Sequence, residues 1–158
     1  MQTTKIYRLP YQKPEVFERL KAAQLESALV WNECMLAHKQ CRVNQTRWLN
    51  QTALQKLTKG KYQLHSQSVQ LVCQAFVANV DSTKANRRAG IKTMKYPWRM
   101  KKFYPVSWAA QSVKYKDGEL TLPMGRGRQS LSIKLKLDFM PGAVSLVWNA
   151  ASEACKRR

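Results

Sequence analysis

The hydrophobic period of this chain changes once, after Gly90, from near-helical to strictly alternating. Apolar residues three or four positions apart share one face of a helix, whereas alternating ones share a face only in an extended strand. Helices and sheet therefore occupy separate stretches of the sequence, which predicts an α+β fold and not a βαβ alternation.

Three helices are expected before the change. Pro14 suits a first helical turn, and Phe17, Leu20, Gln24, Ala28, Trp31 and Met35 recur along one face to about His38, with Trp31 in the core. A polar break from Gln40 to Gln45 leads to Thr46 as an N-cap and to a second helix carrying Leu49, Ala53, Leu54 and Leu57, ended by Gly60. The third helix opens near Ser66, carries Val69, Val72, Cys73, Phe76 and Val80, and turns basic at Lys84, Arg87 and Arg88 before Gly90.

After Gly90, Val113 to Leu122 reads as a hairpin around Asp117-Gly118, a pair that tolerates positive φ. Leu131, Ile133, Leu135, Leu137 and Phe139 alternate with Ser132, Lys134, Lys136 and Asp138, predicting a strand that Pro141-Gly142 turns into Ala143 to Trp148. A further short strand, Thr3 to Leu9, stands alone at the start. Because an isolated strand is unstable, it is expected to join the later strands in one sheet or small barrel, with the helices inserted between.

Charge narrows the partner. Twenty-eight Lys+Arg against 9 Asp+Glu give a net +19, with residues 82–158 carrying 17 basic and 4 acidic groups. So much like charge repels itself and calls for a polyanion. A membrane surface is the rival polyanion. It is disfavoured, since the sequence has no long apolar run or signal peptide and its charge is not gathered on one amphipathic helix.

Within the basic half, YPWRMKKFYPVSW interleaves Tyr96, Trp98, Phe103, Tyr104 and Trp108 with Arg99, Lys101 and Lys102 and holds no carboxylate. Cations neutralise phosphates while flat rings stack on unpaired bases, at about 1–3 kcal/mol each. The plain alternative is a turn whose rings are core and whose lysines are solvated. Candidate contacts extend to Arg87, Arg88, Lys92 and Lys95 upstream and to Lys134 and Lys136 on the long strand. In Pro123-Met-Gly-Arg-Gly-Arg128, Gly125 and Gly127 would let the backbone approach a phosphate chain while Arg126 and Arg128 pair with it, or the segment is a simple hairpin tip. It lacks the Walker spacing, so nucleotide hydrolysis is not expected.

No self-contained active site emerges. The nine carboxylates are scattered, and His38 and His65 stand in no diagnostic nucleophile motif. Cys34, Cys41, Cys73 and Cys155 form no C-x-x-C pair, which reads as reduced thiols of a cytoplasmic protein with neither metal nor cofactor.

The order of these segments resembles the N-terminal half of the TnpB proteins, transposon-encoded RNA-guided nucleases of the OrfB type related to type V CRISPR effectors. The likeness lies in Trp31-Asn32, in Ser66 and Gln70, in Tyr96-Pro97-Trp98-Arg99, and in Gly118, Leu120, Leu122 and Pro123. It implies a wedge of oligonucleotide-binding-style β-barrel from residues 1–10 and 96–152, and an inserted helical recognition domain over 11–95. Residues 153–158 would be a basic tail leading toward a nuclease domain.

The resemblance also implies a role, that of a lobe gripping a structured guide RNA and helping to hold target DNA. Base pairing would supply most of the sequence specificity. Family members continue into a RuvC-like nuclease domain, whereas these residues end at Lys156-Arg157-Arg158, so cleavage is not carried over. A fragment, a natural truncation and one subunit of a split effector with a separate RuvC-like partner all fit. The rival class is a stand-alone basic RNA- or DNA-binding structural or regulatory protein. A helix-turn-helix reader of that class needs a recognition helix studded with Arg, Asn or Gln; the middle helices are not strongly basic, although Gln67, Gln70 and Gln74 on the third leave that option open.

Overall fold

A computed structural model describes residues 3–148. Its elements are helices α1 (Pro14–Val43), α2 (Gln51–Thr58) and α3 (Ser66–Arg88), then strands β1 (Val106–Trp108), β2 (Lys114–Lys116), β3 (Glu119–Leu122), β4 (Leu131–Lys134) and β5 (Val144–Leu146). The class is α+β, as the change of period requires.

Pro14 occupies the first turn of α1, with Glu15 at its positive end. The helix runs five residues past His38, because its buried face continues to Cys41. It stops where Gln45 takes φ +53° and the Thr46 N–H caps the Cys41 carbonyl at 2.9 Å. Thr46 is thus part of the α1 terminus. The N-cap of α2 is Asn50, whose Oδ1 accepts the Ala53 N–H at 2.9 Å.

α1 and α2 pack on α3, and α3 packs on β1. Trp31 meets Phe76 edge to face at 5.1 Å, and one apolar cluster joins these rings to Val106, Trp108, Leu120, Leu122, Leu131 and Ile133. Each such fully buried side chain contributes about 1.5–3 kcal/mol. Trp108 satisfies its indole N–H on the Pro123 carbonyl at 2.8 Å, so this ring of the aromatic stretch is core.

Two antiparallel sheets form, β2-β3-β4 and β1-β5. The β2-β3 hairpin turns through Asp117 (φ +52°) and Gly118 (φ +74°), as the Asp-Gly pair predicts. The alternation from Leu131 to Phe139 is strand only as far as Lys134. The register shows why: Leu122 faces Leu131 and Glu119 faces Lys134, so the next partner is the Asp117-Gly118 turn itself. Leu135 N–H still reaches the Gly118 carbonyl at 2.9 Å, and beyond it the ladder has no backbone to pair with.

The expected first strand is also corrected. Thr3–Leu9 forms no ladder; it lies beside Asp138 and Phe139 through side chains alone. Lys5 Nζ and Tyr7 Oη donate to the Asp138 carboxylate at 2.9 and 2.7 Å, which holds that carboxyl down at about 2. Its expected partner segment has already left the sheet. Five strands therefore follow the helices and none precedes them among the described residues, and the two sheets do not close into a barrel. No helix among these residues is long and apolar enough to cross a membrane.

Candidate nucleic-acid interface

The aromatic-basic stretch is positioned by a row of polar residues on α1. Gln24 accepts the Tyr104 N–H on its backbone carbonyl at 3.2 Å, and Ser27 Oγ donates to the Pro105 carbonyl at 2.9 Å. The Asn32 amide grips Lys101 from both sides, donating to its carbonyl and accepting its N–H, each at 2.9 Å. Ser27 and Asn32 are buried, so these bonds replace water on groups that would otherwise stay unpaired. The Trp31-Asn32 pair thus packs the core with one residue and fixes Lys101 with the next.

Upstream, Trp98 N–H donates to the Tyr96 carbonyl at 2.8 Å across Pro97. Proline's fixed φ suits so tight a turn. The turn aligns the Tyr96 and Trp98 rings, stacked at 5.1 Å and 19°. Trp48, just before α2, closes on them edge-on to Tyr96 at 5.2 Å and tilted to Trp98 at 5.8 Å. Each ring carries a cation: Arg42 lies 4.9 Å from Trp98, Lys84 4.7 Å from Trp48 and Arg87 5.9 Å from Tyr96. A cation over a half-exposed ring is held by only about 0.5–1 kcal/mol, weak enough to turn to a phosphate.

Arg42, Arg87, Arg99, Lys101 and Lys102 form no salt bridge with any described residue, while Lys84 has Asp81 at 4.0 Å. Arg87 also ties the loop after α3, donating to the Lys92 and Met94 carbonyls at 3.2 and 3.0 Å. Arg88, Lys92 and Lys95 are exposed around it.

The remaining rings part company. Tyr104 packs on Trp31 at 4.4 Å, with Lys101 above both. Phe103, under Lys102, stacks on Trp148 at 6.1 Å and 11°, away from the three-ring cluster. A cavity of about 260 Å³ opens between Trp31, Tyr96, Trp98, Arg99, Lys101 and Tyr104. A second, of about 410 Å³, has Trp48, Arg47, His38 and Lys84 in its wall.

The glycine loop is put to another use than the one its composition suggests. What approaches Gly125 is the protein: a Cβ there would lie 1.8 Å from the Gln63 carbonyl oxygen. Arg128 reaches Glu26 at 3.4 Å and also bonds the Gln63 side chain, whereas Arg126 is exposed. Lys134 and Lys136 are exposed on and beyond β4, outside the ring cluster.

Glu26 and Glu33 on α1 are structural. Glu26 accepts the Gln63 and Leu64 N–H groups at 2.6 and 3.0 Å; Glu33 holds Lys61 at 2.5 Å and the Tyr62 hydroxyl. Cys34, Cys41 and Cys73 are free, and no group of three metal-ligating side chains occurs among the described residues. His38 donates from Nε2 to the Leu49 carbonyl at 2.8 Å, and burial lowers its pKa. Cys155 and the 153–158 tail lie outside the described residues.

Sequence reasoning missed Trp48, Arg42 and Lys84 as members of this surface. Only the folding of α1, α2 and α3 brings them to Tyr96 and Trp98, although Trp48 beside Arg47 repeats the aromatic-basic pairing on a small scale. In comparison with known proteins, no family model matches the chain and no curated protein matches it in sequence.

Proposed function

We propose that the chain is a guide-RNA and target-DNA binding lobe of an RNA-guided, TnpB-like DNA-targeting system. The observation that carries this reading is the cluster of Trp48, Tyr96 and Trp98 under Arg42, Lys84 and Arg87, on a chain of net charge +19. Rings for bases and cations for phosphates are the two parts that single-stranded nucleic acid needs. On this reading the two sheets, with Thr3–Leu9 tied to Asp138, are the oligonucleotide-binding-style wedge, and residues 11–95 are the recognition block. A RuvC-like nuclease on a separate or continuing polypeptide would supply cleavage.

Titration of a structured RNA at several salt concentrations tests the reading. The log–log slope should be steep, since each neutralised phosphate adds about 0.7–0.9. A flat slope refutes it. These 158 residues with guide, target and magnesium should cut nothing; specific cutting lost on mutation of a carboxylate would reveal an active site instead.

A further inference from the structure

We propose that the cavity between Trp31, Tyr96, Trp98 and Tyr104 receives a single unpaired nucleotide of the RNA, its base among the rings and its phosphate against Arg99 and Lys101. The proposal rests on the RNA-binding reading above and names a site within it. At about 260 Å³ the cavity falls just below the ~300–1,000 Å³ of drug-sized ligand sites, room for one base and not for several. Among the described residues its wall holds two cations and no carboxylate, so an anionic, acceptor-bearing ligand suits it.

Two residues of that wall, Trp31 and Trp98, hold buried indole N–H groups with no hydrogen-bond partner among the described residues. Buried donors left unpaired are rare and costly, and a base carrying carbonyl acceptors would relieve them once the rings turn to present their N–H groups to the cavity. Uracil alone among the four bases offers two carbonyls and no amino group, whereas adenine has no carbonyl and the amino groups of adenine, cytosine and guanine would face further donors. An already unpaired nucleotide enters at the least unstacking cost. Because Tyr96 and Trp98 belong both to this wall and to the three-ring cluster, one strand can stack outside and insert a base here.

Calorimetric titration of the full chain with 5′-mononucleotides, inorganic phosphate and ribose 5-phosphate tests this. UMP should bind several-fold tighter than CMP and AMP, and at least ~10-fold tighter than either base-free phosphate, the factor expected of one stacked base. Trp98→Leu should weaken UMP by about 5- to 100-fold. The paired change Arg99→Ala with Lys101→Ala, on exposed side chains that do not threaten folding, should weaken UMP but hardly affect uridine. Lys114→Ala with Lys116→Ala removes the same charge from β2 and should leave UMP binding unchanged.

Nucleotides that bind no better than phosphate, or a UMP affinity indifferent to the Arg99/Lys101 pair, would overturn the site. If those results accompany a steep RNA salt slope, the cavity proposal alone fails. A flat slope fails the RNA reading itself.

Discussion

Two basic loops that look alike in sequence, Tyr96–Lys102 and Pro123–Arg128, are anchored in opposite ways. The first is held through its backbone, by Asn32 on Lys101, and its cationic side chains form no salt bridge with any described residue. The second is held through Arg128, which Glu26 and Gln63 engage, and through the bare Cα of Gly125. An anchor on the backbone leaves charge available to a partner; an anchor on the guanidinium uses it inside the fold. Charge counting cannot separate the two.

The glycine offers the strongest way to break this comparison. Gly125 has φ +120° and would drive a Cβ into the Gln63 carbonyl, so Gly125→Ala combines backbone strain with a clash. It should cost about 2–5 kcal/mol in urea denaturation. Gly127, at φ +74° with nothing within 4 Å, should cost only ~1 kcal/mol on the same change. Equal losses would mean that the loop is an unanchored tip.

Asn32→Ala tests the opposite anchor. It removes both bonds to Lys101 and should cost about 1–3 kcal/mol of stability. It should also weaken RNA binding, because the Tyr96–Lys102 segment loses its hold on α1. Unchanged affinity in the folded variant would separate the clamp from the surface.

Charge removal should then divide the loops directly. Arg99→Ala with Lys101→Ala and Lys102→Ala should lower the RNA salt slope by about 2, at roughly 0.7 per single-strand phosphate. Stability should move by less than about 1 kcal/mol, since these groups are exposed. Arg126→Ala with Arg128→Ala should lower the slope by about 0.7 at most, the contribution of Arg126 alone. Similar drops in the two variants would erase the distinction.

What was legible beforehand follows the range of each signal. The three helices, the Asp117-Gly118 hairpin and the burial of Trp31 depend on local period and turn chemistry, and the structure agrees with them. The strand that ends at Lys134, the missing ladder at Thr3–Leu9 and the three-residue β1 depend on which backbone lies opposite, which periodicity does not carry. The interface divided in the same way. Tyr96 and Trp98 announced themselves by composition, but Trp48, Arg42 and Lys84 joined them only through packing, and Glu26 claimed Arg128 from 102 residues away.

The smallest expected effect is a pH dependence that marks the two regions separately. His38 sits under Trp48 and Phe76, with Leu49 accepting its Nε2–H and with Lys84 and Asp81 facing it from α3. Burial, reinforced by Lys84, lowers its pKa below 6.5, so the unfolded chain binds a proton there that the folded chain refuses. Stability must therefore fall as pH drops through about 6.5 toward 5. His65, also lowered by burial, acts in the same direction. At the other end of the molecule Asp138 is held at about 2, so the contribution of its ties to Lys5 and Tyr7 persists until pH falls below 3.8. Denaturation midpoints between pH 5 and 7.5 should decline on the acid side in the wild-type chain and decline less in His38→Gln, which can still donate to Leu49. Asp138→Asn should leave that neutral-range slope untouched. A slope undiminished in His38→Gln, or lost in Asp138→Asn, would assign the titration to the wrong region.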